Sequence, residues 1–520
     1  MWTLCGCGIL PQMEQSNERD GEFVRKTAAG SRSYARLARR WKLVVCTLSL
    51  ASLAFAQRPT GTWDVFAHGA KGDGTTLDTA AIQAAIDACH AAGGGRVYLH
   101  NGKFRAGTLR FRSNVILHVE AGAALVASPN LDDFPTTPSR HPSYTGELIT
   151  GKMFLHAEDA HGIGIAGRGT IDGGGDTWAK GPYGSPSFHR RPRLLHFVGC
   201  ENVQIRGVIF RNSASWTLSF LECRDLVLDG FRIESRENPD IEQTRYARAP
   251  GRNNDGIDLV DCQVVRVSNC AINSGDDAIV LKSFSPGGLC RDITITNCVV
   301  SSNASGIKIG TESAGAFEDI VVQNCTIYDT RGAGLAVLTV DGARIERVSF
   351  SNISLRNIKG DAIFVRLGAR DRPYRKDAVV GKAGLKDVMF SQIQGTRISS
   401  LGSGLSGIPG QMLENIILRD INLEFTGGIG PEAVKRVVPE NIKGYPSGGM
   451  FGGTLPAYGF YVRHARNVVF ENVQLRFVAD DHRPAIMCDD VDGLRISRLR
   501  AQTMPGINAR HLVNTRHVTR

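Results

Sequence analysis

Apolar and polar residues alternate over short runs along most of this 520-residue chain, and the runs recur at a nearly constant spacing. One phrase, a charged residue followed by Asn or Asp and then alternating apolar positions, reads Glu201-Asn202-Val203-Gln204-Ile205, Arg224-Asp225-Leu226-Val227-Leu228, Arg291-Asp292-Ile293-Thr294-Ile295 and Glu318-Asp319-Ile320-Val321-Val322. It returns at Lys386-Asp387-Val388, Glu414-Asn415-Ile416 and Arg466-Asn467-Val468. Period-two alternation of this length between turn residues predicts short strands. A second phrase also repeats: Asn254-Asp255-Gly256-Ile257-Asp258-Leu259 superposes on Asp276-Asp277-Ala278-Ile279-Val280-Leu281 and on Ala304-Ser305-Gly306-Ile307-Lys308-Ile309. The column below Asp255 runs Asp277, Ser305, Ala333 and Asp361, in steps of 22, 28, 28 and 28 residues, a solenoid period. One coil cannot bury its apolar face alone, so successive coils must stack. Two or three strands per 22 to 28 residues leave no room for a crossover helix. The expected fold is therefore all-β, a right-handed parallel β-helix.

The ends of the chain depart from the repeat. Ile82, Ala85, Ile86 and Cys89 follow helical spacing within residues 79–92, and the helix they predict covers the open end of the solenoid, which would otherwise expose unpaired edges. Residues 36–42 are basic, 43–54 are apolar, and Ala54-Phe55-Ala56 precede Gln57, the pattern of a cleaved export signal. The apolar run is shorter than the roughly 20 residues of a membrane span. The expected organisation is an extension and signal peptide over 1–57, ending near Ala56, and one β-helix domain over 58–520, with the cap and first coils over 58–135. The product is periplasmic or secreted, without stable membrane insertion.

Charge and cysteines add little. Removing residues 1–57 takes away 8 basic and 4 acidic residues, leaving 53 minus 47, or +6. That mild excess suits an anionic partner, and the absence of a basic stripe interleaved with aromatics argues against nucleic acid. Nothing in the pattern specifies an oligomeric state. Of the nine cysteines beyond residue 57, Cys270, Cys298 and Cys325 recur at one repeat position and Cys200, Cys223, Cys262 and Cys290 at another. This spacing predicts ladders of small buried thiols.

Coils about 4.8 Å apart bring Asp255, Asp276 and Asp277 together. Such a cluster performs acid/base chemistry, binds a cation such as Ca²⁺, or forms a structural ladder. If Ile257, Ile279, Ile307, Leu335 and Ile363 point inward, then Asp258, Val280, Lys308, Ala336 and Phe364 point outward. Lys282 and Arg366 share a neighbouring outward column with Leu338. Lys308, Lys282, Arg366 and Asp258 are thus candidate substrate-binding residues.

Asn253-Asn254-Asp255-Gly256-Ile257-Asp258, Gly275-Asp276-Asp277-Ala278-Ile279 and the helix-capped start resemble glycoside hydrolase family 28, the polygalacturonase and rhamnogalacturonase family, from about Trp63 to the late coils. The resemblance implies inverting hydrolysis of pectin at galacturonic acid, with Asp276 as general acid, Asp255 and Asp277 activating water, an acidic polysaccharide or oligosaccharide as substrate, and neither cofactor nor metal. Two family motifs are absent: the His of SHG falls on Ser305, and RIK falls on Ala336-Val337-Leu338. Long insertions are expected at 236–253, 368–384, 395–412 and 427–458, and loops of this length commonly carry function. Packed over one end of a groove, they would favour exo attack. The 427–458 segment holds Met450, Phe451 and Tyr458, suited to stacking on sugars or to burial; Arg463, His464, His482 and Arg483 are further basic candidates. The competing readings are a Ca²⁺-dependent β-helix lyase and a non-catalytic carbohydrate-binding β-helix.

Overall fold

Each alternating phrase forms a strand, and its Asn or Asp makes the bend that starts it. Asn202, Asp225, Asp292, Asp319, Asp387, Asn415 and Asn467 all have φ between 53° and 57°. That left-handed region is one that Asn and Asp tolerate better than other side chains with a Cβ. Their amides also bond coil to coil, Asn415 Nδ2 to Asp387 Oδ1 at 2.7 Å and Asn467 Nδ2 to Asn415 Oδ1 at 3.1 Å. The polar half of the repeat thus fixes the corner while the apolar half fills the interior.

The computed structural model describes residues 61–137, 139, 151–178, 190–236, 253–375 and 378–519. These belong to one unit, Thr60–Arg520. The export signal expected over 1–57 and nearly all of the 236–253 insertion lie outside the described residues. All strand pairings run parallel, each strand bonding to its counterparts one coil before and one coil after, which makes the fold the expected right-handed parallel β-helix with three strand positions per coil. From Ala316–Thr330 onward two of those positions merge into single long strands such as Arg344–Ile358 and Gly384–Ile398.

The helix, α1, spans Thr79–Ala91 and buries the four residues its spacing singled out, Ile82, Ala85, Ile86 and Cys89. It packs on strands Gly61–Asp64, Gly95–Leu99 and Val115–Val119 at the first coils. No helix among the described residues is long and apolar enough to cross a membrane. All nine cysteines beyond residue 57 are buried free thiols.

The sheet that matters here contains Arg193–Val198, Leu218–Leu221, Ile257–Val260, Ile279–Ser283, Ile307–Ser313, Leu335–Thr339, Ile363–Leu367 and Ser403–Ser406. Its register runs Ile257↔Ile279↔Ile307↔Leu335↔Ile363, with Asp258↔Val280↔Lys308↔Ala336↔Phe364 beside it. One sequence expectation fails: residues 395–412 are not an insertion but contain Ser403–Ser406, a strand of this sheet. The short Gly- and Ser-rich strand lacked the alternation that marks the others.

The 427–458 loop folds back over the late coils of the same sheet. Val438, Met450, Phe451 and Leu455 bury Ala333, Ala336, Leu338 and Phe364 in a separate apolar cluster. Gly404 makes room for it, since a Cβ there would come within 2.9 Å of the Phe451 ring.

Candidate active site

Asp255, Asp276 and Asp277 meet where the Ile257–Val260 and Ile279–Ser283 strands begin. One carboxylate oxygen from each lies within 4.8 Å of one from each of the others. Asp255 and Asp277 are buried and Asp276 is half-buried. Like charges this close cannot all ionise freely, and their partners decide which does.

Lys308 Nζ donates to Asp277 Oδ2 at 2.5 Å, and the Ser305 backbone N–H donates to Asp277 Oδ1 at 2.9 Å. Burial works against the anion, yet the Lys308 charge and these hydrogen bonds outweigh it and hold Asp277 below the usual carboxylate range. Lys282 Nζ donates to Asp255 Oδ2 at 3.0 Å, and Asn253 Nδ2 donates to Oδ1 at 3.1 Å. Burial nonetheless leaves Asp255 raised, with Lys282 opposing the shift and Asp277 adding to it. Among the described residues no cation contacts Asp276. It accepts the Asp277 backbone N–H at 2.9 Å, and burial, then repulsion from Asp255 and Asp277, pushes it up to about 8. Ser274 and Ser302 each donate to the Asp276 backbone carbonyl at 2.6 Å and fix its position. Asp276 is thus mostly protonated at neutral pH, while Lys308 keeps Asp277 ionised.

The remaining candidates surround this group in different ways. Lys282 Nζ is 2.6 Å from Asp258 Oδ1, close in distance but off the hydrogen-bonding direction, and burial keeps Asp258 well above its ordinary value. Lys282 also lies 3.8 Å over the Trp216 ring, and the Arg193 guanidinium sits 4.5 Å over the same ring. Lys308 and Lys282 are thus 4% exposed and engaged with the carboxylates, not standing free on the sheet face. Arg366 is fully buried, its guanidinium donating to Ser406 Oγ and Gly407 O at 2.9 Å and to Glu440 O at 2.8 Å. It ties down the 427–458 loop, and the structure does not bring it into the carboxylate group. Arg463, bonded to the Val438 and Pro439 carbonyls, and Arg483, paired with Asp481 at 2.7 Å, are structural in the same way. His464 lies 2.7 Å from Asp490, and Phe451 and Tyr458 are buried in the loop and core.

Arg193 and Trp216 were missed by the sequence reading. Extending the Leu195↔Leu218↔Ile257↔Ile279 register two residues upstream places them in the column of Asp255 and Asp277. The column itself was the signal, followed downstream only. Burial and the Arg193 charge drive His196 well below its ordinary pKa, leaving a neutral ring whose Nδ1 accepts from Arg193 Nη1 at 3.0 Å.

Three converging carboxylates could hold a cation. Here two of them already carry an ammonium counter-charge at 2.5 and 3.0 Å, which a cation would have to displace.

The Glycosyl hydrolases family 28 profile matches residues 140–441, more than half of the chain. The chain belongs to that family. An exo-poly-alpha-D-galacturonosidase of Dickeya chrysanthemi is 31% identical over 261 residues, covering 41% of this chain and 40% of that protein. The match thus spans less than half of that relative's length. Among solved structures, an exopolygalacturonase from Thermotoga maritima superposes with a TM-score of 0.59 at 21% identity, over 71% of this chain and 88% of that one. A family 28 exopolygalacturonase from Yersinia enterocolitica gives 0.58 at 22%, over 88% and 78%. These two likenesses establish the fold.

Proposed function

We propose that the protein is an inverting glycoside hydrolase that removes terminal residues from galacturonate-containing pectic chains. The observation that carries this reading is the Asp276 carboxyl, raised to about 8 between two carboxylates held by Lys282 and Lys308. Asp276 protonates the leaving glycosidic oxygen, and Asp255 with Asp277 orients and deprotonates the attacking water.

Two criteria of stereochemistry disagree here. Closest oxygens within 4.8 Å are nearer to the roughly 5–5.5 Å spacing of retaining enzymes than to the ~6.5–9.5 Å of inverting ones. Accessibility argues the other way. A nucleophilic carboxylate must touch the anomeric carbon, whereas Asp255 and Asp277 are 1% and 5% exposed. A small water can reach between them where a sugar carbon cannot, which favours inversion.

The exo mode is supported by the 427–458 loop, which covers the sheet at Ala336, Leu338 and Phe364, two and three coils past Asp276. Ala336 and Leu338 stand where the first and last residues of the family motif RIK would, and their apolar side chains seat the loop instead. A groove blocked there admits a chain end and not the middle of a polymer. The names of the Dickeya, Thermotoga and Yersinia relatives point the same way. Tyr445, 54% exposed on this loop near Arg370, offers a ring face to the sugar.

The test is a time course on polygalacturonate: monosaccharide from the first minutes with little fall in viscosity supports exo attack, and an early ladder of oligosaccharides refutes it. Activity should also fall as pH rises through about 8, where Asp276 loses its proton.

A further inference from the structure

The strand that carries Lys308 is irregular. Leu281 pairs with Ile309 and Ser283 with Ser313, so Gly310, Thr311 and Glu312 stand opposite the single residue Lys282. A bulge of this kind re-aims a side chain beside a site. Gly310, at φ 88°, permits the bend, and a Cβ there would run into Leu338 O. Glu312 is turned toward Lys282, with Oε2 4.0 Å from its Nζ, and the same ammonium lies 3.0 Å from Asp255 Oδ2. The two carboxylates are therefore no farther apart than those two distances together, a gap that one sugar ring spans. Glu312 stands one coil past Asp276 and short of the loop-covered positions Ala336 and Leu338.

Its carboxylate is charged but open to a donor. Burial works against the anion, yet Lys282, Lys308 and Arg370 hold it below the usual carboxylate range. Its side chain is 18% exposed, and among the described residues no hydrogen bond from another residue reaches it. The cations nearby are engaged elsewhere, Lys308 with Asp277, Lys282 with Asp255 and Asp258, and Arg370 with both oxygens of Asp341 at 2.8 and 2.5 Å. Tyr445 of the 427–458 loop stands beside Glu312, where the charges of Lys308, Glu312 and Asp277 act on its hydroxyl. The Arg370 guanidinium, 5.7 Å from the ring centre, backs the ring. What this spot offers a ligand is thus an acceptor and an aromatic face, the chemistry that suits sugar hydroxyls.

We infer that Glu312 reads the end of the substrate chain. Its carboxylate accepts the hydroxyl that a terminal sugar carries where an internal sugar has its next glycosidic bond, and the Tyr445 ring packs on the sugar face. A continuing chain presents an ether oxygen there, which has no proton to give, and the loop seated on Ala336 and Leu338 leaves it no path. A site built to bind a hydroxyl strongly rejects an analogue that lacks it, because its own polar group is left unpaired. The inference rests on the exo-hydrolase reading and adds to it the residue that selects the end.

The experiment compares trigalacturonate with two trimers altered at one end. One has an unsaturated non-reducing sugar, which lacks the terminal hydroxyl, and the other is the methyl glycoside at the reducing end. Values of kcat/KM are measured for the full chain, Glu312→Ala and Glu312→Gln, and Kd is measured by calorimetry in Asp276→Asn with and without Glu312→Ala. The wild type should lose at least tenfold, about 1.4 kcal/mol, on one altered trimer. Glu312→Ala should lose as much on trigalacturonate and then treat that altered trimer and trigalacturonate alike within twofold. Glu312→Gln, which keeps the shape and one acceptor oxygen, should fall between. The altered trimer that is rejected names the end. A residue that merely props Lys282 would weaken all three substrates equally and leave the wild-type discrimination in place. That result, or a wild type that treats the three trimers alike, overturns the assignment. Hydrolysis without end selectivity removes the role of Glu312 alone, and end-selective, Glu312-dependent binding without hydrolysis removes the hydrolase reading alone.

Discussion

Replacing Lys308 by Met removes the ammonium group 2.5 Å from Asp277 Oδ2 in a pair whose side chains are 6% and 7% exposed. At an effective dielectric of 20, two unit charges at this distance attract by about 7 kcal/mol, 332/(20 × 2.5). Desolvation offsets much of that, and breaking buried pairs on one side costs about 3–5 kcal/mol. Met fills a similar volume, so the electrostatic loss should dominate. The pH dependence carries the sharper prediction. In the wild type, Asp277 lies below its ordinary value, so its stabilisation is present above the unfolded pKa and fades as pH falls through the folded one. Without Lys308, only the Lys282 charge and the Ser305 N–H still oppose burial, which then raises Asp277, so the variant instead loses stability as pH rises. The gap between the two proteins should therefore close in acid and widen toward neutrality, by up to about 1.4 kcal/mol per pH unit for one proton. Urea midpoints across a pH series measure it, and the acidic limb of kcat/KM should move upward in step. A gap that does not vary with pH, or a raised KM with an unmoved pH profile, would mean that Lys308 serves the substrate and not Asp277.

Arg366→Ala should cost about 2–4 kcal/mol, because it strips donors from Ser406 and from the Gly407 and Glu440 carbonyls. It should also make the 427–458 loop an early site of limited proteolysis, and resistance equal to wild type would rule out the tether. Thiol titration of the chain from residue 58 should find almost no rapidly reacting cysteine in the native state and nine after denaturation. Burial raises Cys89 to about 11 and Cys488 to about 12, and several fast thiols in native protein would contradict the buried ladders.

Much of this was legible in the sequence because a solenoid writes its contacts at a fixed period. The 22- and 28-residue steps gave the register of Ile257, Ile279, Ile307, Leu335 and Ile363, and with it the meeting of Asp255, Asp276 and Asp277. The helical spacing of Ile82, Ala85, Ile86 and Cys89 marked the cap. What the period does not encode is the covering of the outward face. Lys282, Lys308 and Arg366 do point away from the interior, yet all three are buried, by partners or loop segments far away in sequence. The apolar residues in place of RIK read as a missing function until Val438, Met450 and Phe451 were found lying on them. Residues 403–406 escaped notice because Ser-Gly-Leu-Ser has no alternation strong enough to mark a strand.

The central claim is that Asp276 donates a proton while a water held by Asp255 and Asp277 attacks. Proton NMR of the sugar released from trigalacturonate, recorded in the first seconds before mutarotation, tests it most directly, with Asp276→Asn run alongside. The account predicts a first-formed anomer opposite to the bond cleaved, and turnover reduced by about 10²–10⁴-fold in the variant. A retained configuration, an unsaturated product, or undiminished turnover in Asp276→Asn would contradict it.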